Sequence, residues 1–431
     1  MINASEFEER RARLLALMDS NSAMVLYSGV EKVSTADETY PFEVNRNFYY
    51  LTGIDQPDSA LILVNSYGEM KEFLFISPYD ERKEKWYGKR LTPAEASKIS
   101  GVNNIQIIDS LTAKIDEILN PQYFVYGEIK KIYVDLDNEI KIADEMTTRD
   151  LKKTLEATYS NVAVSDAYPF ITTLRLRKSV REIAELRSAI NTTQVGIYSI
   201  WSRMRPGMHE YELANLFLKT VNDLSGYQGL AFNTIIASGI HGTVLHYPKP
   251  MDTLKDGDLL LTDLGSRNGY YNADITRTVP INGKFSEEQR TIYEIVLGCN
   301  KMIANKARPG ITIAELQEAT IDYLANECLA KGFIENKEDI SKYYFHGVSH
   351  FIGLDTHDPY LSSDKTEYKK IPLEPGMVIS DEPGLYMADR GIGIRIEDDL
   401  LITNDGCEVL SKNIVKEIAD IENALASKLR S

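Results

Sequence analysis

The stretch Asp258–Thr278, DLLLTDLGSRNGYYNADITRT, decides the fold. Leu259, Leu260, Leu261 and Leu264 predict an apolar strand, Gly265 to Gly269 a turn, and Tyr270 to Thr278 the returning arm of a β-hairpin. Each arm carries one carboxylate in an apolar setting, Asp263 and Asp274. Aspartates are almost never fully buried unless paired. Two on adjacent arms repel, raise each other's pKa and cost stability. A divalent cation between them removes the conflict, because it becomes the largest local charge. The hairpin therefore predicts a metal site whose remaining ligands lie elsewhere in the chain.

A second copy of the same unit supplies them. Arg205-Pro206-Gly207-Met208 is followed by Glu212-Leu213, and Arg308-Pro309-Gly310-Ile311 is followed at the same spacing by Glu315-Leu316. In each, Pro and Gly end one helix before another begins. Leu254-x-x-Gly257 leads to Asp263, and Leu373-x-x-Gly376 leads at the same spacing to Glu382. Between these markers lie His241-Gly242-x-x-x-His246 in the first half and His346-Gly347-x-x-His350 in the second. The order predicts a duplicated helix–helix–hairpin unit with its site between the halves. In the second half Met377–Ser380 reads as an apolar strand that ends at Asp381-Glu382-Pro383-Gly384. Gly391–Ile402, GIGIRIEDDLLI, reads as one continuous strand, with Arg395 and Glu397 on the face opposite Ile392, Ile394 and Ile396.

The expected ligands are Asp263, Asp274, His350, Glu382 and Glu397. Four carboxylates and one imidazole suit Mn²⁺, or Zn²⁺, Co²⁺ or Fe²⁺, over a thiolate-loving centre. So many carboxylates fit two ions, with some of them bridging. Of six histidines in the chain, two clusters hold all but His209. His246 and His357 are candidates to support the ligands from behind or to stabilise the reacting oxygen; His241 and His346 are left open between site and scaffold, and His209 is expected to be exposed.

The 431 residues are long enough for two domains, and 43% hydrophobic with 26% charged residues is ordinary for a globular protein. A net charge of −16 argues against a nucleic-acid partner. No run approaches the roughly 18 apolar residues of a membrane span. The charged N-terminus does not read as a signal peptide. The three cysteines, Cys299, Cys328 and Cys407, lack metal or disulfide spacing. Together these predict a cytoplasmic protein. Phosphate-cradling glycine loops and Gly-x-Ser-x-Gly elbows are absent from the sequence.

Residues 1–172 read as a separate α/β domain. Its expected helices are Glu6–Met18, opened by a Ser5/Glu8 capping box, and Pro93–Ser100, opened by Thr92 and Glu95. Its expected strands are Ala23–Tyr27, Asn47–Leu51, Ser59–Val64 and Glu72–Ile76, with the aromatic run Tyr40–Gly53 taken as a core strand. A further helix is predicted from Ser179 and Glu182 to about Met204.

At DLGSRNGYYNADITRT, HGVSHFIGLDTHD, DEPGLY and GIRIEDD the chain resembles the pita-bread metallopeptidases, which include methionine aminopeptidase, prolidase, creatinase and Xaa-Pro aminopeptidase. DETYPFEVNRNFYYLTGIDQPDSALIL and WYGKR resemble the N-terminal domain of the Xaa-Pro aminopeptidases. The resemblance implies a mixed α/β (α+β) chain: an N-terminal creatinase-like domain, then a pita-bread catalytic domain over 173–431. It implies two metal ions, typically Mn²⁺, on the five ligands, with Asp274 and Glu397 bridging. His246 and His357 match substrate-contacting residues, Arg395 a residue beside the bridging glutamate, and Glu382 a proton carrier. The activity implied is hydrolysis of the bond between an N-terminal residue and a following proline, by a hydroxide held between the metals. Prolidase action on Xaa-Pro dipeptides is the alternative on the same fold, and an inactive binding module the alternative of another class. A homodimer or homotetramer is implied as well, with Trp86 and Tyr40–Gly53 placed to approach a neighbour.

Overall fold

The computed structural model of the chain describes residues 2–67, 69–136, 140–143, 146–226, 228–359 and 367–427. These divide into two compact units, one running to Arg175 and the other from Leu176 onward.

The first unit is built on a six-stranded sheet. In spatial order its strands are Ala163–Asp166, Lys131–Val134, Ser22–Tyr27, Ala60–Ser66, Glu69–Ile76 and Ile105–Ile107. Ser22–Tyr27 is parallel to Lys131–Val134 and antiparallel to Ala60–Ser66. Alternate residues of the central strands, Val25, Tyr27, Ile62 and Phe75 among them, pack with Leu111, Ile115 and Ile118 of the helix Leu111–Leu119. The Pro93–Ser100 helix forms with its Thr92/Glu95 box. Two expectations need correction. The first helix is Ala4–Leu15, and Asn3, not Ser5, caps it by accepting from the Glu6 N–H. Asn47–Leu51 is not a strand but part of the helix Arg46–Thr52. Asn45 caps its start, and Gly53, at φ 67°, ends it with an N–H to the Tyr49 carbonyl. Caps at both ends outweigh the aromatic β-propensity of the run.

The second unit repeats one plan twice. Helices Val180–Arg203 and Glu210–Ser225 open the first half, and Glu287–Lys306 and Ile313–Ala330 the second. Both Arg-Pro-Gly turns need a glycine, with Gly207 at φ 89° and Gly310 at φ 90°. Each turn clasps the loop that leads into its own half's strands. The Gly207 N–H donates to Leu254 O and the Gly310 N–H to Leu373 O, both at 2.9 Å. The Leu254 N–H returns to Met208 O at 2.8 Å and the Leu373 N–H to Ile311 O at 2.7 Å. The strands Ile235–Ser238, Leu259–Leu264 and Ile275–Pro280 form one antiparallel sheet, and Val378–Asp381, Asp398–Ile402 and Cys407–Val409 its counterpart. A hairpin of Gly384–Met387 and Ile392–Arg395 completes the second half.

Two details of the hairpins differ from expectation. The return of the first hairpin begins at Ile275, after a small two-stranded excursion at Arg267–Asn268 and Tyr271–Asn272. Gly391–Ile402 is not one strand, since it breaks at Ile396-Glu397 between Ile392–Arg395 and Asp398–Ile402. Asp274 and Glu397 thus occupy equivalent places, each in a break just before a strand. There the side chain turns inward while the backbone pairs elsewhere: the Glu397 N–H donates to Thr276 O at 3.0 Å. Among the described residues no helix is long and apolar enough to cross a membrane.

Candidate metal centre

Antiparallel register places Asp263 opposite Thr276, so both side chains leave the same face, and Asp274 lies two residues before Thr276 on that face. The second half is stitched alongside. Thr278 Oγ1 donates to Arg395 O at 3.0 Å and accepts from the Arg395 N–H at 3.2 Å. His350 is fixed beside the strand Val378–Asp381: its N–H donates to Ser380 Oγ at 2.9 Å and its carbonyl accepts from the Ser380 N–H at 2.9 Å. The Glu382 N–H donates to Val348 O at 3.0 Å. Four backbone segments from two halves are thereby held in one place, and their acids converge.

All five expected ligands line one cavity of about 250 Å³, together with His246, His346, His357 and Arg395. Asp274, His350 and Glu397 each offer a ligand atom within 4.8 Å of the others. Glu382 Oε1 is 3.4 Å from His350 Nε2, and Asp274 Oδ2 is 3.5 Å from the same nitrogen. Asp263, Asp274, His350 and Glu397 are buried, while Glu382 keeps some exposure to the cavity.

Protonation decides what this arrangement can hold. His350 Nδ1 sits 3.0 Å from Phe351 O, an oxygen that only accepts, so Nδ1 carries the proton and Nε2 presents its lone pair. Burial, followed by the neighbouring His357, pushes His350 down to about 3, so it is neutral at physiological pH. The two rings stack with centroids 3.9 Å apart. A neutral nitrogen lone pair therefore faces an oxygen of each of two carboxyl groups. Burial raises Asp274 and Glu397 well above the usual carboxylate range, and the surrounding acids add to it. Burial also raises Glu382 to about 7, with Arg395 opposing and Asp263 adding. Asp263 Oδ1 is buried without a hydrogen-bond partner. Orphaned acceptors, a deprotonated imidazole nitrogen and mutually repelling acids are the donor set of a hard or borderline divalent cation, and they fit one here.

Around these acids runs a hydrogen-bonded chain in which the sequence assigned Arg395 but neither Tyr386 nor Thr276. Arg395 donates from Nη2 to Asp263 Oδ2 at 2.8 Å, from Nε to Thr276 Oγ1 at 3.1 Å and from Nη1 to Tyr386 Oη at 3.1 Å. Tyr386 in turn donates to His346 Nε2 at 2.8 Å, whose Nδ1 donates to Gly347 O at 2.8 Å. Thr276 Oγ1 donates to Glu397 Oε2 at 2.7 Å. Of the two histidines left open, His346 belongs to the site. His241 does not: it stacks on Tyr247 and lies 3.5 Å from Glu210 and from Asp252. His209 stacks on Tyr211, with Thr253 Oγ1 at 3.2 Å from its Nδ1. His246 and His357 are exposed at the cavity's mouth. Tyr386 was legible only as the last letter of DEPGLY, and Thr276 only as a β-former.

The sequence matches metallopeptidase family M24 over residues 184–404 and the aminopeptidase P N-terminal domain over residues 7–126. The Xaa-Pro aminopeptidase of Haemophilus influenzae is 34% identical over 435 residues, which cover 97% of each chain. Aminopeptidase P from Escherichia coli, solved with the inhibitor Pro-Leu, superposes with a TM-score of 0.90 at 32% identity over 100% of both chains. Proline aminopeptidase P II from Yersinia pestis gives 0.88 at 34%, over 99% of this chain and 100% of that one. The expected mixed α/β architecture, an aminopeptidase P-type domain followed by a pita-bread domain, agrees with these likenesses.

Proposed function

The chain belongs to metallopeptidase family M24, and from that premise we propose that it is a metal-dependent Xaa-Pro aminopeptidase, a hydrolase that releases the residue preceding an N-terminal X-Pro bond. The observation that carries the metal dependence is the neutral His350 Nε2 facing Asp274 and Glu382 across 3.5 and 3.4 Å. In this reading Asp263, Asp274, His350, Glu382 and Glu397 hold two divalent ions, and the oxygen-rich donors favour Mn²⁺. When bound, such ions supply Lewis acidity that brings the pKa of water toward neutrality.

The residues do the rest. Glu382, open to the cavity, is poised to take a proton from water and pass it to the leaving nitrogen. His246 and His357, at the mouth, hydrogen-bond the scissile carbonyl oxygen as negative charge develops there. Arg395 orients Asp263 through its 2.8 Å hydrogen bond to Oδ2. Asp263 faces the place of the substrate's α-amino group, which gives exopeptidase action. Proline's nitrogen bears no hydrogen and its ring fixes φ, so a site shaped for the ring accepts bonds that peptidases relying on that N–H refuse.

Division at residues 172/173 into substrate-shaping and catalytic domains, cytoplasmic location and a homodimer or homotetramer belong to the same reading. The three cysteines are free, as in a reducing compartment. Trp86 is 76% exposed on the helix Glu81–Tyr87, which buries none of its residues, and such a face suits a neighbour. The test is Glu382→Gln assayed on an Xaa-Pro dipeptide and an Xaa-Pro tripeptide. The parent should cleave the tripeptide better, and the variant should fold, bind metal and cleave neither. Preference for the dipeptide would make the protein a prolidase, and an active variant would remove Glu382 from the proton path.

A further inference from the structure

A second cavity, of about 440 Å³, lies wholly within the first unit and exceeds the one at the carboxylate cluster. Its wall is apolar where Ile108, Leu111 and Ile142 meet the ring of Tyr27. Tyr27 is the last residue of the strand Ser22–Tyr27 and only 8% exposed. Its ring packs in the core, and its phenol, kept protonated by burial, has no hydrogen-bond partner among the described residues. Tyr27 lines the cavity, so its hydroxyl is available to a ligand atom there.

The rim sets the sign of that ligand. Glu31, Asp58, Asp80, Glu84 and Asp109 face Lys83 and Arg90 across it, an excess of acids. Arg90 is committed, with Nη2 3.2 Å from Glu31 Oε1 and its N–H on Glu84 Oε1 at 3.3 Å. Asp80 caps the N–H groups of Arg82 and Lys83. Asp109 has no partner among the described residues and stands beside Ile108 and Leu111. An uncommitted carboxylate, an apolar wall and a partnerless phenol therefore meet in one cavity of a size that takes small molecules.

We propose that this cavity binds a small organic ammonium compound, its cationic head on Asp109 and the Tyr27 hydroxyl and its apolar body on Ile108, Leu111 and Ile142. The head is either that of a free amine or that of a lysyl side chain on a peptide, since both present the same group.

Ligand-observed fluorine NMR with 4-fluorophenethylamine on the full-length, Mn²⁺-loaded protein tests this. Saturable broadening is expected for the amine, weaker broadening for zwitterionic 4-fluorophenylalanine, and none for the anion 4-fluorophenylpropionate. Tyr27→Phe, which removes one hydroxyl, should weaken the amine about fivefold. Asp109→Asn should weaken it about tenfold. Both variants should melt and hydrolyse an Xaa-Pro peptide like the parent, which separates this site from the metal centre. Displacement by cadaverine alone assigns a free amine, and displacement by Nα-acetyl-lysine amide as well assigns a peptide side chain. Equal binding of amine and anion, absence of saturation, or amine binding unchanged in both variants would overturn the proposal.

Discussion

Arg395 and Asp263 share one hydrogen bond, Nη2 to Oδ2 at 2.8 Å, and the other oxygen of Asp263 is left without a partner. The guanidinium thus satisfies half of a carboxylate and leaves the other half for something else. It also donates to Thr276 and Tyr386, so its fork serves three acceptors. A lysine keeps the charge but not the fork. Arg395→Lys should therefore keep the fold and lose about 10–100-fold in metal affinity or turnover, the usual cost of disturbing a group that orients a ligand. Metal titration by calorimetry alongside steady-state kinetics checks it, and parent-like values in both would show that Arg395 only fills space.

Removing the metal should reverse the pH dependence of stability. Glu382 is raised to about 7, and Asp274 and Glu397 are raised too, above their unfolded values. Each raised acid retains its proton longer when folded, so the stability it lends is complete below its unfolded pKa and is lost as pH climbs through the folded one. His350, lowered to about 3, and His346, lowered to about 4, act with the opposite sign, but only below their unfolded value near 6.5. Above pH 6.5 the acids act alone. The metal-free protein should lose melting temperature from pH 6.5 to 8, at up to about 1.4 kcal/mol per pH unit for each proton released. The Mn²⁺-loaded protein should show no such loss. Parallel curves for the two forms would remove the argument that these acids are held apart by a cation.

Much of this was legible in the sequence because the duplication leaves marks that do not depend on tertiary context. The Pro-Gly pairs at 206–207 and 309–310 punctuate helices, Ser179 with Glu182 closes a capping box, and the acids stand out in apolar runs. The misreadings have physical causes. Periodicity in GIGIRIEDDLLI continues through Ile396 and Glu397, but the backbone leaves the sheet there to reach Thr276 O, and alternation cannot register a break that preserves phase. Asn47 looked like a strand residue among aromatics. In the helix its side chain instead reaches Asp135 Oδ2 at 2.8 Å, a partner 88 positions away that no local rule points to. The link from Arg395 through Tyr386 to His346 is of the same kind, since each member is ordinary alone.

That link yields a prediction of its own. Tyr386→Phe removes an oxygen that accepts from Arg395 and donates to His346. Burial already pushes the Tyr386 phenol up to about 12, so it acts as a hydrogen-bond relay and never as an anion. The variant leaves buried Arg395 and half-buried His346 each short of a partner, a cost of about 1–3 kcal/mol for the buried one. Turnover should fall about tenfold with the substrate KM little changed, because the cavity keeps its shape while Arg395 and His346 lose their mutual alignment. Kinetics and thermal melts of the metal-loaded variant decide it, and a change confined to KM would place Tyr386 in substrate binding.

The strongest stability effect should come from Arg277, which touches no substrate. It is fully buried and donates to Glu397 O at 2.6 Å, Thr276 O at 2.9 Å, Ile414 O at 2.8 Å and Asp398 Oδ1 at 2.7 Å. Asp398 also accepts from Ser411 Oγ at 2.6 Å and from Lys416. Burial opposes its charge, but Arg277 and Lys416 outweigh that and hold the carboxyl well below the usual range. Arg277→Met leaves Asp398 with Lys416 and Ser411 but without its buried guanidinium, and orphans the carbonyls of both segments that carry Thr276 and Glu397. Breaking a buried pair from one side costs about 3–5 kcal/mol. Asp398→Asn in the same chain removes the carboxylate charge and should recover part of that loss, although the carbonyls stay unpaired. Chemical denaturation of parent, single and double variants in the metal-free state measures the coupling. If Arg277→Met and the double variant lose stability equally, the carbonyl bonds carry the whole effect and the ion pair none of it.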